Sequence, residues 1–292
     1  MNYPYLDDAS REIVEKTDKE RIEYINKSTF IPYLETLSIL ERFTDLVDYP
    51  QIDRMPNYLL VGDTNNGKTS ILREFESRYV VTNVPPDGPA LKVLYMQTPA
   101  KADESRLYSK ILENLNVAHN DSDIASNKLK QVKYHIKSLG LKVLIIDELH
   151  NISPATANRQ REFLTTLKFL CNELMISIIA AGIPEVLNVI TYDPQLANRF
   201  ETIRLPTWDN KKEEFISFIK AYEQRLPLKK ASNIGTNREL AGKIWKMGEG
   251  LIGEYVTILK KAAVLAVRSG EEKITMAILD KIDYERPSDR SR

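Results

Sequence analysis

With 292 residues, 42% of them hydrophobic, the chain is long enough to bury one large core or two modest ones. Its 41 basic and 41 acidic residues cancel, which excludes a whole-molecule electrostatic pull toward nucleic acid and leaves any such contact to local patches. No run reaches the roughly 18 to 20 apolar residues of a membrane span, and the start MNYPYLDDAS lacks the basic flank and apolar run of a signal peptide, so a cytoplasmic protein with no membrane partner is expected.

In chain order, residues 1–50 carry eleven acids against six bases, with Ile13, Ile22, Tyr24 and Ile25 at spacings that suggest helices; an acidic helical extension is expected there. Pro50 and Pro56 bracket a break. Beyond it come five β-rich runs: YLLVG at 58–62, LKVLYM at 91–96, KVLIID at 142–147, ISIIAAG at 176–182 and ETIRL at 201–205. Helices are predicted between them over 67–79, 104–115, 124–139 and 157–174. The alternation implies an α/β domain over 51–206, a parallel sheet flanked by helices, and the nearly unbroken apolar character of the middle runs suits strands covered on both faces. After Pro206 the β signal stops, and helices predicted over 211–224, 238–247, 254–268 and 275–282 make a smaller helical subdomain at 207–284. The polar, charged tail ERPSDRSR at 285–292 is expected to be disordered. The single cysteine, Cys171, lies in the apolar-periodic LTTLKFLCNELMI, which points to burial rather than catalysis, and His119, His135 and His150 have no Cys or His at metal-ligand spacing.

Two motifs carry chemistry. GDTNNGKT, Gly62 to Thr69, fits the phosphate-loop pattern and stands between a strand and a helix, the context that pattern requires. Gly62 and Gly67 allow the backbone of Asp63, Thr64, Asn65 and Asn66 to turn its N–H groups inward, and the helix start at Lys68, Thr69 and Ser70 adds a positive end, together a cradle for the phosphates of ATP. Lys68 should reach the β and γ phosphates and Thr69 should offer its hydroxyl to Mg²⁺. Seventy-eight residues beyond Thr69, VLIIDELH puts Asp147 and Glu148 at the carboxyl end of an apolar strand, where ligands of open α/β sheets bind. Asp147 would hold the metal's hydration shell; Glu148 would orient the water that attacks the γ-phosphate. His150 and Asn151 read as loop or capping residues.

With these motifs in hand, the sequence resembles the AAA+ ATPases, and within them the TniB/TnsC family of transposon ATPases, over roughly 30–285. The family phrases are YMQTPAKADESRLYSKILENL, DELHNISPATANRQREFLTTLKFLCNEL, AGIPEVLNVITYDPQLANRFETIRLPTW and EGLIGEYVTILKKAAVLAV. The resemblance implies a P-loop AAA+ fold with a C-terminal helical lid, an ATP site at the seam between subunits, and an arginine finger from the neighbour. Arg199 in LANRF matches that position best and Arg204 is the second candidate. It also implies a homo-oligomer, ring or helical filament, wrapping double-stranded DNA and joining a target-selector protein of the TniQ type to a transposase. Two positions depart from it: the fourth strand ends in Ala181 and Gly182 where many relatives carry a polar residue, and Glu254 lies near where many carry a second sensing arginine. Both fit a slow, timer-like ATPase.

Residues 92–142 hold nine bases against five acids. Lys101 and Arg106 follow the second strand, while Lys130, Lys133 and Lys137 recur at helical spacing, so these side chains could neutralise phosphates without reading bases, or simply form a solvated helix face. The leading expectation is an ATP-dependent regulator of DNA transposition. A helicase or initiator loader in DNA replication and a signalling NTPase with protein partners remain the alternatives.

Overall fold

The computed structural model describes residues 3–27, 29–80, 91–101, 103–191 and 197–290. They form two compact units: an α/β unit of Leu34–Thr64 and Lys68–Leu205, and a helical unit made by the chain up to Tyr33, Asn65–Gly67 and the chain from Pro206 onward.

The α/β unit is built on five parallel strands, β1 (Asn57–Val61), β2 (Val93–Gln97), β3 (Val143–Asp147), β4 (Ser177–Gly182) and β5 (Phe200–Arg204), in the order β2-β3-β4-β1-β5. β3 and β4 are buried at every position, which is why they read as unbroken apolar runs. β5 is an edge strand and is only partly covered, with Phe200 and Ile203 buried and Glu201, Thr202 and Arg204 exposed. Helices Glu104–Asn114, Ala125–Leu139 and Ala157–Leu174 close over the sheet, their Leu107, Ile111, Val132, Ile136, Phe163 and Leu167 joining Leu144 and Ile146 in one core. A left-handed Gly140 (φ 70) ends the second of these helices, as glycine does at little steric cost.

The register is pinned from the amino ends of the strands by a buried asparagine. Asn57 accepts from Ile178 N at 2.7 Å and donates to the carbonyls of Met55 (3.2 Å) and Arg199 (3.4 Å), so one side chain ties β1 to the starts of β4 and β5. Cys171 lies beside it, its sulfur 3.6 Å from Asn57 Oδ1, and burial pushes its thiol up to about 12. It is a core residue, not a nucleophile.

The helical unit packs Lys212–Glu223, Arg238–Gly248, Ile252–Arg268 and Met276–Lys281 around Trp208, Phe215, Tyr222 and Tyr255. Trp208 meets Phe218 edge to face at 5.3 Å, an arrangement favoured by ring quadrupoles. The first fifty residues, expected as one extension, are divided. Helices Asp8–Ile13 and Asp18–Asn26 group with the helical unit, where Arg21, fully buried, donates twice to Pro227 O at 3.0 and 2.9 Å and pairs with Glu272. Helix Leu34–Asp48 belongs to the α/β unit because Phe43, Leu46 and Val47 give it an apolar stripe, Phe43 packing on Phe75 at 5.4 Å. The tail corrects a second expectation. Its composition predicted disorder, but Pro287–Arg290 is a short helix held by ion pairs and hydrogen bonds; residues 291 and 292 lie outside the described residues.

Candidate nucleotide site

The phosphate-loop motif spans the end of β1 and the start of helix Lys68–Ser77. Asn65 and Gly67 both have positive φ, 59° and 89°, a backbone course that glycine and asparagine adopt with least penalty and that turns successive N–H groups to one side. Lys68 is only 5% exposed, and its ammonium donates to the carbonyls of Gly62 at 2.8 Å and Asp63 at 2.7 Å. Burial pulls it below the ordinary lysine range, while the nearby charges of Glu148, Asp147 and Asp63 oppose that fall. Among the described residues its hydrogen bonds reach neutral carbonyls alone, which leaves a buried cation suited to an anionic phosphate.

The two loop asparagines hold the loop itself. Asn65 Nδ2 donates to Glu254 Oε1 at 2.9 Å, Gly253 N donates to Asn65 O at 3.0 Å, and the buried Asn66 donates to Pro206 O at 3.1 Å.

Asp147 ends β3 and is fully buried. Its Oδ2 accepts from Thr69 Oγ1 at 2.7 Å and from Tyr95 OH at 2.8 Å, and its Oδ1 accepts from Glu148 N at 2.8 Å. The main chain is fixed too: Thr98 donates to Asp147 O through both N and Oγ1, each at 2.8 Å. The fold thus brings together two residues 78 positions apart. A hydroxyl and a carboxylate oxygen in contact are hard donors with the chemistry magnesium prefers. Among the described residues no cluster of three or more His, Cys, Asp or Glu could hold a metal by itself, so an ion here would complete its shell with phosphate oxygens and water.

Glu148 stands in the left-handed region (φ 58), strained for a residue with a side chain, at the head of the turn Leu149–Ile152. Its Oε2 lies 3.1 Å from His150 Nε2, and His150 Nδ1 faces Ile183 N at 3.5 Å, just past the end of β4. With Nδ1 accepting, the imidazole proton belongs on Nε2 and points at Glu148. Tyr95, Thr98 and His150 were not singled out as site residues from sequence. The polar ring of Tyr95 inside an otherwise aliphatic strand was the one available signal; burial, and after it Asp147, raises its hydroxyl pKa, so it remains a donor at neutral pH.

The arginine candidates lie at opposite ends of β5. Arg204 pairs with Val61 beside the start of the phosphate loop and is exposed. Arg199 precedes the strand at its amino end, where its guanidinium donates to Asn172. A five-residue strand, about 16 Å, therefore separates Arg199 from Gly62 of the same molecule.

The basic residues singled out from the sequence lie in two places. Lys101 and Arg106 line an open groove of about 860 Å³ together with Arg159 and Arg161, and Asp103, Glu104 and Glu162 line it too; among the described residues none of the four bases makes an ion pair. Lys133 is elsewhere, paired with Glu173 at 2.6 Å and set over the Phe169 ring. Lys130 is exposed on the same helix and does not line the groove. The helix turns these two lysines away because its buried lysine is Lys128, which donates to Ser105 Oγ at 3.0 Å and Asp121 O at 2.8 Å. Arg159 and Arg161 sit at i and i+2 beyond the acidic pair and carried no signal until the fold joined them to Lys101.

A family model described as Bacterial TniB protein matches residues 21–210. The ATP-binding subunit ClpL of the ATP-dependent Clp protease from Lactococcus lactis subsp. lactis is 26% identical over 155 residues, covering 51% of this chain but only 18% of that protein. Two solved structures superpose at a TM-score of 0.63 and 16% identity. One is the ORC2 protein of Aeropyrum pernix in ADPNP-ADP complexes, covering 89% of this chain and 70% of that one. The other is the ORC1 protein of Aeropyrum pernix in complex with DNA, covering 92% and 68%. At this identity the likeness establishes the AAA+ fold.

Proposed function

The chain belongs to the TniB family and has the fold of AAA+ nucleoside triphosphatases, and from that premise we propose that it is an ATP- and Mg²⁺-dependent switch in DNA transposition. ATP-bound copies assemble on double-stranded DNA, connect a target selector of the TniQ type to the transposase, and separate after hydrolysis. The observation that carries the nucleotide half of this reading is the contact of Thr69 with Asp147 at 2.7 Å beside the buried Lys68.

Each residue has a definite task. Backbone N–H groups of Asp63, Thr64, Asn65, Asn66 and Gly67, with those of Lys68, Thr69 and Ser70, receive phosphate oxygens, and Lys68 exchanges its two carbonyl partners for them. Thr69 and Asp147 hold the magnesium ion, which offsets phosphate charge when bound. Glu148 orients the attacking water, and its contact with His150 holds the carboxylate back until the site is filled. Arg199, a strand's length from its own phosphate loop, suits delivery to a neighbour's nucleotide, which makes hydrolysis depend on assembly. The groove with Lys101, Arg106, Arg159 and Arg161 supports the DNA contact, a few phosphates per copy multiplied along the duplex. ORC1, solved in complex with DNA, has the same fold.

Electron microscopy with a non-hydrolysable ATP analogue and duplex DNA tests the assembly, and pull-down of the transposase by the assembled form tests the link. Filaments or rings that vanish without nucleotide, and that form with Arg199→Ala but no longer hydrolyse ATP, are expected. A protein that stays monomeric with nucleotide and duplex both saturating would end this reading.

A further inference from the structure

The segment from Tyr284 to Arg290 is anchored at several points within the helical unit. Tyr284 OH donates to Met247 O at 3.1 Å and to Glu254 Oε2 at 2.7 Å. Ser288 donates to Glu249 through N at 2.9 Å and Oγ at 2.6 Å. Arg290 forks onto Glu254, Nη1 to Oε1 at 2.7 Å and Nη2 to Oε2 at 2.8 Å. Glu254 is itself 3% exposed and stands in the first turn of helix Ile252–Arg268, and its remaining bond, at 2.9 Å, comes from Asn65 of the phosphate-loop motif. One carboxylate therefore joins segment 284–290 to Asn65 of the phosphate-loop motif.

The contact is built closely. Gly253 donates to Asn65 O at 3.0 Å, and a Cβ at Gly253 would come within 2.1 Å of Asn65 Oδ1. Asn65 is also the loop residue that must keep a left-handed φ of 59°, a conformation that a residue with a Cβ holds steadily only where its surroundings enforce it. The bonds from Glu254 and Gly253 are that enforcement. Glu254 stays charged in a buried place only because Arg290 supplies the cation and Tyr284 a further donor.

We propose that the C-terminal tail is a latch on the phosphate-binding loop: Arg290, acting through Glu254, keeps Asn65 in its left-handed conformation and so raises nucleotide affinity. Arg290 is a positioning residue in this scheme and touches no nucleotide. Coupling is reciprocal, so whatever favours the docked tail favours bound phosphate, and bound phosphate favours the docked tail by the same factor. A partner that lifts the tail would thereby loosen nucleotide.

The proposal rests on the nucleotide-site reading, and the experiment separates the two. Binding of an ATP analogue with Mg²⁺ is measured by calorimetry for the full chain, Arg290→Ala, Asn65→Ala and the double variant. Arg290→Ala is expected to lower the melting temperature, since it strips a buried carboxylate of its cation, and to weaken binding about fivefold or more at a temperature where circular dichroism shows every variant folded. In the Asn65→Ala background the same change should have no further effect. Amide exchange of residues 284–290 should slow when nucleotide is added. Should Arg290→Ala fold poorly, Glu249→Ala removes both acceptors of the Ser288 anchor without touching Glu254 and is expected to weaken binding in the same direction. Equal affinity for Arg290→Ala and the unaltered chain, or effects of Arg290→Ala and Asn65→Ala that simply add, would overturn the latch. Failure of the unaltered chain to bind any nucleotide would instead overturn the nucleotide site.

Discussion

Asp147 and Glu254 are both buried carboxylates, and each accepts a hydrogen bond from a residue of the phosphate-loop motif, Thr69 in one case and Asn65 in the other. Their remaining partners differ. Asp147 accepts from the Tyr95 hydroxyl and the Glu148 amide, both neutral, so its charge is left for a cation to meet. Glu254 has that charge met already by the fork of Arg290. Burial alone does not distinguish a metal ligand from a scaffold residue; the charge of the partners does.

The comparison can be broken by removing charge, in the two carboxylates with little change of shape. The largest effect is expected from Lys68→Ala, which takes away the buried cation aimed at phosphate. Loss of such a partner costs on the order of 2–5 kcal/mol, roughly thirtyfold to several thousandfold in affinity, and micromolar binding by the variant in calorimetry would refute the assignment. Asp147→Asn keeps one acceptor oxygen for Thr69 and Tyr95 but removes the charge and the acceptor for Glu148 N; roughly a hundredfold loss of magnesium-dependent affinity is expected. Glu254→Gln, the matching change, should cost only several-fold, because its charge serves an internal pair. Equal losses in the two variants, read in the same titration with and without Mg²⁺, would erase the distinction. Glu148→Gln should leave binding intact and slow phosphate release by about a hundredfold or more, since it alters the water-orienting group alone.

How much of this was legible follows the same division. The α/β sheet could be read because its central strands carried their burial in their own composition: apart from Asp147 and Ser177, β3 and β4 hold no polar side chain and lie between covered faces. The phosphate loop and the acidic pair were legible because their chemistry needs fixed residue types at fixed spacing. Asn57, Tyr95 and Thr98 were not, since each acts through a partner 49 to 142 residues away that only the folded register supplies, and His150 was not because its meeting with Glu148 depends on the left-handed turn at Glu148. The groove was half legible: Lys101 and Arg106 stand close in sequence, whereas Arg159 and Arg161 join them only when their helix is packed. The tail misled for a related reason. ERPSDR has no apolar face to announce a fold, and its order comes from polar contacts to Glu249 and Glu254, which composition does not display.

The smallest expected effect concerns pH and sharpens the contrast from the side of Glu254. Burial raises its carboxyl, but the bonds from Arg290, Tyr284 and Asn65 outweigh that and hold it below the ordinary carboxylate range. Tyr284 is pushed upward, first by burial and then by Glu254 itself, so it stays a donor throughout, and Arg290 stays charged. A carboxyl depressed in the folded state contributes stability that is fully present above its unfolded pKa, about 4.3, and is lost as pH falls through the folded value. Amide exchange of residues 284–290 should therefore be constant from about pH 8 to pH 5 once corrected for intrinsic rates, and should rise below about pH 4 toward that of Arg290→Ala. In Glu254→Gln the acid-induced step should be absent. A step that persists in that variant would assign the titration to another carboxylate, Glu249 on the second anchor being the first to examine.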